Sequence, residues 1–414
     1  MTVAPTAEDI RRIHRRGQLV LIAGQALAGV GMGGTFSAGA LLVTQVSGQE
    51  ALSGMAATGT TVGAALAAIP LARLAQRSGR APSLAAGALI AAAGAVVGII
   101  ASVLVSLPLL LVGLVMVGSG TAVNLQSRFA ATDLSEPGTR GRDLAFVVWA
   151  TTIGAVLGPN LIGPGDALGV ALGLPTLAGP FVFTIVAQVL AAAIYFLLLR
   201  PDPLKLAERL AVQRAADADA SIPPARLDRN GVATGLIALA FSHATMVAVM
   251  SMTPVHLVNH DATLEIVGLT ISLHVAGMFA LSPVFGWLSD RIGREQVIAA
   301  GQGILLVSLM LVFVGGEQTG VVMVALVLLG LGWSAATVAG SALIAESADP
   351  FRRTVIQGRA DLTMSAAGAV GGALAGPALA AFAYEGLALA AVGLVAAVLV
   401  AVAYRSTSRA RRAV

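Results

Sequence analysis

Histidine and methionine side chains are concentrated in one stretch of the chain, at a spacing that could bind a soft metal ion. Residues 243–256 read HATMVAVMSMTPVH. If this stretch is helical, His243, Met246 and Met250 lie on one face, because residues three and four apart are neighbours on a helix. Imidazole and thioether groups are neutral ligands suited to a soft cation, with Cu(I) the leading candidate. The alternative is that the methionines are apolar packing.

A second pair of such residues, His274 and Met278, is also four residues apart. The helical rise of about 1.5 Å per residue places Met250 and His274 on the order of 12–15 Å from the turn between the two stretches. The same arithmetic places Met246 and Met278 roughly 18–21 Å from that turn. Met250 therefore lies at the same depth as His274, and Met246 at the same depth as Met278, as a site shared by two neighbouring helices requires.

The composition indicates which elements must position these side chains. The chain has 57% hydrophobic and 11% charged residues, whereas soluble proteins carry about 25% charged residues. Apolar runs of about 20 residues recur between short polar breaks, and each is long enough to cross a bilayer. The sequence therefore predicts an all-α polytopic membrane protein with twelve spans, at roughly 17–46, 51–73, 82–104, 107–131, 143–164, 176–200, 231–257, 264–288, 296–315, 318–345, 356–382 and 384–404.

The basic residues follow this predicted topology. With the amino terminus inside, all 25 Lys and Arg fall on one side of the membrane, and the loops on the other side carry only acids. This positive-inside pattern predicts that both termini are cytoplasmic. It also explains the sequence pI near 10.3 without nucleic-acid binding, which we therefore exclude. The first apolar stretch is too long for a cleavable signal peptide.

The longest polar segment divides the spans into two groups of six. RSGR at 77–80 matches DRIGR at 290–294, and GRDL at 141–144 matches GRADL at 358–362. These matches predict a parallel repeat of the kind from which membrane transporters are commonly built. We expect an amino-terminal cytoplasmic segment, a first six-helix half, a cytoplasmic central loop, a second six-helix half and a cytoplasmic tail, at 1–16, 17–200, 201–230, 231–404 and 405–414.

The stretch GWLSDRIGRE, residues 286–295, resembles the signature between the second and third helices of each half in the major facilitator superfamily. The resemblance implies the major facilitator fold, with transport by rocking of two six-helix halves about a central site. In that family a glycine of the signature permits close helix contact, an aspartate accepts bonds at a neighbouring helix end, and arginines form cytoplasmic salt bridges. The implied gating residues here are Gly286, Asp290, Arg291, Gly293 and Arg294.

The first-half copy of this signature, ARLAQRSGR at 72–80, departs from the pattern. Ala72 stands in place of the glycine and Gln76 in place of the aspartate. We therefore expect the inner gate of the first half to be weaker or built differently.

The order Met-x-x-x-Met followed by His-x-x-x-Met resembles the CcoA-like branch of the superfamily, which includes bacterial copper importers and riboflavin importers. The matching residues are Met246, Met250, His274 and Met278, with His243 on the same helix face. The resemblance implies an uptake transporter of a bacterial inner membrane, and we expect it to be a monomer. Its preferred substrate is copper or another soft metal ion, and the alternative is riboflavin or another small organic solute.

Other polar side chains within the spans are candidates for a central cavity, namely Gln25, Asn124, Gln126 and Arg128. Each could equally make an interhelical hydrogen bond, and Arg128 could pair with Asp133 as a gate. No acid lies in the middle of a predicted span. A proton-driven drug antiporter needs such a buried carboxylate, so this mechanism lacks its residue in the sequence.

Efflux of hydrophobic compounds is one alternative function, and an enzyme or a sensor would be a different class. GAVLGP at 154–159 resembles a Gly-Pro helix motif of superfamily antiporters, which keeps efflux of hydrophobic compounds as an alternative. The chain has no GxxxxGK[ST] loop for ATP and no catalytic constellation, so we expect neither a cofactor nor an enzyme. A transporter-like sensor is disfavoured because the central loop carries no extra domain.

Overall fold

The computed structural model describes residues 6–49, 52, 54–136, 138–157, 161–217, 227–349 and 352–413. In these ranges the regular elements are helices, and no strand is present. The helices are α1 (Ala7–Ser47), α2 (Met55–Ser78), α3 (Arg80–Val103), α4 (Leu107–Ala130), α5 (Arg140–Leu157), α6 (Ile162–Ala171), α7 (Gly179–Leu198), α8 (Pro203–Asp217), α9 (Arg229–Asn259), α10 (Leu264–Phe279), α11 (Ser282–Ile292), α12 (Arg294–Gly315), α13 (Thr319–Ser347) and α14 (Arg353–Ala413).

The helices account for the predicted membrane spans. Ten stretches of the described residues are long and apolar enough to cross a membrane. One of them, Arg353–Ser408, contains two predicted spans, which meet at Ala383, where φ is 58°. The helices α5 and α6 together occupy the fifth predicted span, and Gly158 and Pro159 of the antiporter-like motif lie outside the described residues. This count reaches twelve spans, and the predicted fold class is confirmed.

Helix α1 begins about three turns earlier than the apolar pattern predicts. Thr6 is its N-cap, and the hydroxyl of Thr6 accepts a hydrogen bond from the backbone N–H of Asp9 (3.2 Å). The Asp9 carboxylate in turn accepts a bond from the backbone N–H of Thr6 (3.1 Å). This reciprocal capping box satisfies two N–H groups that would otherwise lack partners, so the polar residues before the apolar run are helical as well.

Small residues allow the apolar helices to pack closely. A Cβ added at Gly63 of α2 would overlap the carbonyl oxygen of Val115 on α4, and one at Gly118 of α4 would overlap that of Thr60 on α2. In a membrane, helices associate through such close backbone approach, because lipid offers no hydrophobic gain for burying side chains against each other. The high glycine content is therefore used in helix packing.

The chain separates into two compact units. The first unit comprises Met1–Glu136, Ala150–Arg226 and Asp349–Leu362, and the second comprises Pro137–Trp149, Leu227–Ala348 and Thr363–Val414. The amino-terminal turns of α5 thus belong to the second unit, and those of α14 to the first.

Each unit has its own apolar core. In the first unit Phe181 of α7 packs with Leu110 and Leu114 of α4. In the second unit Val297 and Ile298 of α12 belong to a buried cluster with residues of α9, α13 and α14.

Candidate functional site

The junction of α11 and α12, residues 289–294 with Gly293 between the two helices (the second-copy loop), holds the amino terminus of α5. The two carboxylate oxygens of Asp290 accept hydrogen bonds from the backbone N–H groups of Gly141 (2.9 Å) and Arg142 (2.8 Å). The first N–H groups of a helix have no partner within it and carry partial positive charge, so a carboxylate is stabilised there. Asp290 therefore ties α11 to α5.

Two glycines shape this contact. A Cβ added at Gly286 would overlap the carbonyl oxygen of Gly141 and crowd the Cβ of Ala145, so only glycine permits α11 to lie this close to α5. Gly293 separates α11 from α12 with φ at 109°, a conformation that side chains with a Cβ rarely adopt. Close approach and the sharp turn together bring Asp290 to the end of α5.

The two signature arginines behave differently. Arg294 pairs with Asp290 (2.8 Å) and with Glu346 at the end of α13 (3.1 Å). The guanidinium group of Arg291 lies over the ring of Trp287, 5.1 Å from its centre. Arg291 makes no ion pair with any residue that the structure describes, so Arg294 alone supplies the salt bridges that the resemblance implied for both.

The corresponding loop between α2 and α3, residues 75–80 (the first-copy loop), is built around Arg80. This fully buried side chain donates to both carboxylate oxygens of Asp133, at 2.8 and 3.1 Å, and to the amide oxygen of Gln357 at 2.6 Å. The pair of Arg80 with Asp133 corresponds by position in the repeat to the pair of Arg294 with Glu346. The pair of Arg128 with Asp133, one possibility that the sequence left open, is not formed, because the two carboxylate oxygens of Asp133 accept from Arg80 instead.

Arg128 pairs instead with Asp361 of α14. The Arg128 Nη2 atom donates to Asp361 Oδ1 at 2.8 Å, and both side chains are almost fully buried. Asp361 is a buried acid that hydropathy does not reveal, because it lies close to the start of its predicted span. The internal match between GRDL and GRADL was the available signal, since it places Asp361 opposite another buried acid, Asp143.

The central-loop helix α8 is anchored to the first-copy loop. Asp202, just before α8, accepts a hydrogen bond from the backbone N–H of Ala81 in the first turn of α3 (2.8 Å). The Lys205 ammonium group donates to the carbonyl oxygen of Gln76 near the end of α2 (2.6 Å). An anion at a helix start and a cation at a helix end are both stabilising. The acid that Gln76 replaces in the signature is therefore compensated from α8.

His274 on α10 is fully buried and faces α13. Its Nδ1 atom donates a hydrogen bond to the carbonyl oxygen of Leu326 at 2.7 Å, since a carbonyl can only accept. The Nε2 atom is buried and has no hydrogen-bond partner among the described residues. Met278, one turn later, and Met246 on α9 are also buried, and Met250 is half-buried.

His243 is held by an aromatic group. Trp333 of α13 donates from its indole nitrogen to His243 Nδ1 at 3.0 Å, and the edge of Phe279 meets the Trp333 ring, with centres 5.8 Å apart. Within the part of the chain that the structure covers, no group of three or more His, Cys, Asp or Glu side chains is placed to hold a metal ion.

An amide cluster joins three helices of the first unit. Gln25 of α1 and Asn124 of α4 donate from their side-chain nitrogens to the hydroxyl of Thr151 on α5, at 3.1 and 3.3 Å. The Gln25 side chain is buried, and its Oε1 atom lacks a hydrogen-bond partner in the described structure. Gln126 differs, because it donates to the carbonyl oxygen of Ala68 (3.2 Å) and so contributes to the packing of α4 on α2.

Comparison with known proteins identifies the family. The sequence profile of the Major Facilitator Superfamily matches residues 21–262 and 235–414. The chain is 36% identical over 386 residues to YdeG of Bacillus subtilis (strain 168), described as an uncharacterized MFS-type transporter, covering 92% of this chain and 90% of that protein. It is 28% identical over 356 residues to the riboflavin transporter RfnT of Brucella anthropi, covering 84% of this chain and 85% of that protein.

Solved structures share the fold. The human organic anion transporter MFSD10 aligns with a TM-score of 0.74 at 15% identity, covering 94% of this chain and 99% of that one. The proton:xylose symporter XylE aligns with a TM-score of 0.67 at 15% identity, covering 96% of each chain. The chain therefore belongs to the major facilitator superfamily and is a multi-pass membrane transporter with its alternating-access fold.

Proposed function

We propose that the protein is a secondary-active importer of a small polar organic solute, with riboflavin the first compound to test. The observation that carries this proposal is the amide cluster of Gln25, Asn124 and Thr151. Neutral amides and a hydroxyl suit a neutral solute with hydrogen-bonding edges, and the buried Gln25 Oε1 atom is an acceptor for a solute N–H or O–H group. The relative RfnT, a riboflavin transporter, supports the same class.

The proposal includes the topology and the gate. In this proposal the protein is a monomer in a bacterial inner membrane. Both of its termini are cytoplasmic, because all 25 Lys and Arg then face the cytoplasm. The contacts of Asp290 with α5 and of Arg80 with Asp133 would then lie on the cytoplasmic side, where breaking them opens the inner gate. The chain has no Cys, so single introduced cysteines can test the topology by labelling from either side of the membrane.

A soft metal ion is the second candidate substrate, favoured by the setting of His274. A histidine that ligates a metal usually donates its other ring N–H to a carbonyl or carboxylate, as His274 does to Leu326. Its unpartnered Nε2 atom and Met278, one turn away, would be the ligands. Copper keeps a place in the test for this reason, although His243 is engaged by Trp333.

Efflux of hydrophobic compounds is the third candidate. The lack of an acid in the middle of a predicted span disfavours efflux, but Asp361 is a buried carboxylate in α14. Transport by inside-out vesicles compared with transport by intact cells distinguishes efflux from uptake.

The experiment is uptake of radiolabelled riboflavin by cells that lack their own uptake system and express the protein. We expect uptake by the wild type, a loss of at least tenfold for Gln25→Ala, and no change for Gln45→Ala, an exposed glutamine on the same helix. Riboflavin uptake that Gln25→Ala leaves intact would remove the amide cluster from the transport path. No riboflavin uptake by the correctly inserted wild type would reject riboflavin as the substrate.

Copper uptake under reducing conditions is measured in parallel, with the double variant of His274→Ala and Met278→Ala. If the wild type takes up copper but not riboflavin, and the variant loses copper uptake, the transported substrate is the metal and the organic solute is rejected. Copper uptake at the level of cells without the protein would reject the metal proposal.

A further inference from the structure

Asp361 is a buried acid of the first unit whose hydrogen-bonding capacity is only partly used. It lies in the early turns of α14, is fully buried, and its Oδ1 atom accepts a hydrogen bond from Arg128. Its Oδ2 atom is buried without a hydrogen-bond partner among the described residues. Asp133 differs, because Arg80 donates to both of its oxygens. A carboxylate has room for about four hydrogen bonds, so Asp361 is held in its charged form by little more than one contact.

The charged groups that face Asp361 come from two neighbouring helices. Arg128 of α4 is in direct contact with Asp361, and Arg80 of α3 donates to Gln357, one turn before Asp361, while Arg80 is itself paired with Asp133. On α14, Gln357 lies one turn before Asp361 and also has an unpartnered buried atom, its Nε2 donor. The group is thus two guanidinium ions and two carboxylates, with spare hydrogen-bonding capacity beside Asp361.

A buried ion pair is favourable only when its remaining polar atoms are also satisfied, because both charges have lost their hydration. The pair of Arg128 with Asp361 leaves one carboxylate oxygen unsatisfied, so its Coulomb attraction offsets the desolvation incompletely. Binding of a proton to that oxygen removes the negative charge, and the ion pair that ties α4 to α14 is then lost. The structure therefore contains a site at which one proton changes a contact between two helices.

We propose that Asp361 is the proton-binding residue of the transport cycle, and that its protonation releases Arg128. The step forms one O–H bond on the Oδ2 atom, takes the proton from the aqueous phase, and breaks no covalent bond. This inference rests on the proposed function as a secondary-active transporter and adds the coupling ion and its site. The proton supplied by the membrane gradient provides the free energy for movement of the solute.

The first test needs no solute. Infrared difference spectra of the purified protein are recorded between acidic and alkaline pH, to detect the carbonyl band of a protonated carboxylic acid. We expect a band that Asp361→Asn removes and that Asp143→Asn leaves in place. Asp143 is the matched control because it is a buried acid at the corresponding position of the repeat. A band that persists in Asp361→Asn, or spectra without any such band, would overturn the proposal.

A folding defect is controlled by the double variant of Arg128→Gln and Asp361→Asn, which leaves no buried charge unpaired. We expect this variant to purify as the wild type does and to lack the infrared band. If the band is present in the double variant, it belongs to another acid and the proposal fails.

The second test uses the transported solute in proteoliposomes. We expect the double variant to exchange labelled for unlabelled solute at equilibrium, within about twofold of the wild type. We expect it to lose accumulation driven by a proton gradient, so that inside and outside concentrations become equal. Gradient-driven accumulation by the double variant would contradict the proton role. If riboflavin and copper are not transported by the wild type, the proposed substrates fail while the infrared result still decides whether Asp361 binds a proton.

Discussion

The buried pair of Arg80 with Asp133 offers the sharpest test of how the first unit is held together. Arg80 is 1% exposed and Asp133 is 6% exposed. Asp133→Asn removes one charge at nearly constant volume and leaves the buried guanidinium ion of Arg80 without a paired carboxylate, although Arg80 keeps its hydrogen bond to Gln357. Removal of one partner from a buried pair costs about 3–5 kcal/mol, because the other charge stays desolvated without compensation. We therefore expect Asp133→Asn to lower the free energy of unfolding by about this amount.

A double substitution separates the cost of breaking the pair from the value of having it. Arg80→Met with Asp133→Leu removes both charges and retains apolar volume. Such a replacement is often neutral or stabilising by about 1–4 kcal/mol, so we expect the double variant to be far more stable than Asp133→Asn. The reference is the exposed pair of Arg11 with Glu136, whose side chains are 71% and 61% exposed at a distance of 3.1 Å. Exposed pairs contribute about 0–1 kcal/mol.

The assay is equilibrium unfolding of the purified protein in mixed micelles, with all variants measured together as a double-mutant cycle. If Asp133→Asn lowers the free energy of unfolding no more than Glu136→Gln does, the pair of Arg80 with Asp133 is solvated in the protein, and burial does not make its loss costly. A double variant as unstable as the single would show that apolar side chains cannot fill the site, and that the hydrogen bonds of Arg80 contribute more than its charge costs.

Three further predictions concern the contacts at helix ends. Gly286→Val should destabilise the protein by about 1–3 kcal/mol, because the larger side chain is overpacked against Gly141. The control is Gly303→Val, where an added Cβ meets open space. This control should leave the free energy of unfolding unchanged in the same micelle assay. Asp202→Ala should cost about 0.5–2 kcal/mol, as loss of a helix cap does, and hydrogen exchange at the Ala81 amide should rise; unchanged exchange would refute the anchoring of α8. Arg405→Lys should lower the free energy of unfolding by about 1.5–3 kcal/mol, as loss of a charged hydrogen bond does. The reason is that one ammonium group cannot replace the two guanidinium donors to Glu295 and Asp228. Equal thermal stability of the wild type and Arg405→Lys would contradict this.

The roles in the candidate site could be predicted where they depend on local backbone geometry. Gly286 and Asp290 belong to a short motif whose glycine allows helix contact and whose acid suits a helix amino terminus, and both are found against α5. Partners distant in sequence could not be predicted. The sequence offered Asp133, five residues away, as one possible partner of Arg128, whereas the carboxylate that Arg128 contacts is Asp361, at a separation of 233 residues.

The histidine and methionine pattern illustrates the same limit. Helical spacing correctly places Met246 one turn from Met250, and His274 one turn from Met278, because these positions depend only on the helical period. The spacing does not determine what each ring contacts. His274 faces the carbonyl oxygen of Leu326, and His243 accepts a hydrogen bond from Trp333. Both partners lie on α13, and no short-range pattern relates α13 to α9 or α10.

The sequence by itself determined that the chain is helical, that it crosses a membrane repeatedly, and that it is built from a repeat. These properties depend on hydropathy over about 20 residues, and backbone groups in lipid must form their hydrogen bonds within the helix. Only the tertiary structure decided which buried charges meet. Arg80, Arg128, Asp133 and Asp361 are each compatible with a helix surface, and their pairing is set by which helix faces pack together. Burial makes this choice consequential, because a charge removed from water requires its partner at hydrogen-bond distance.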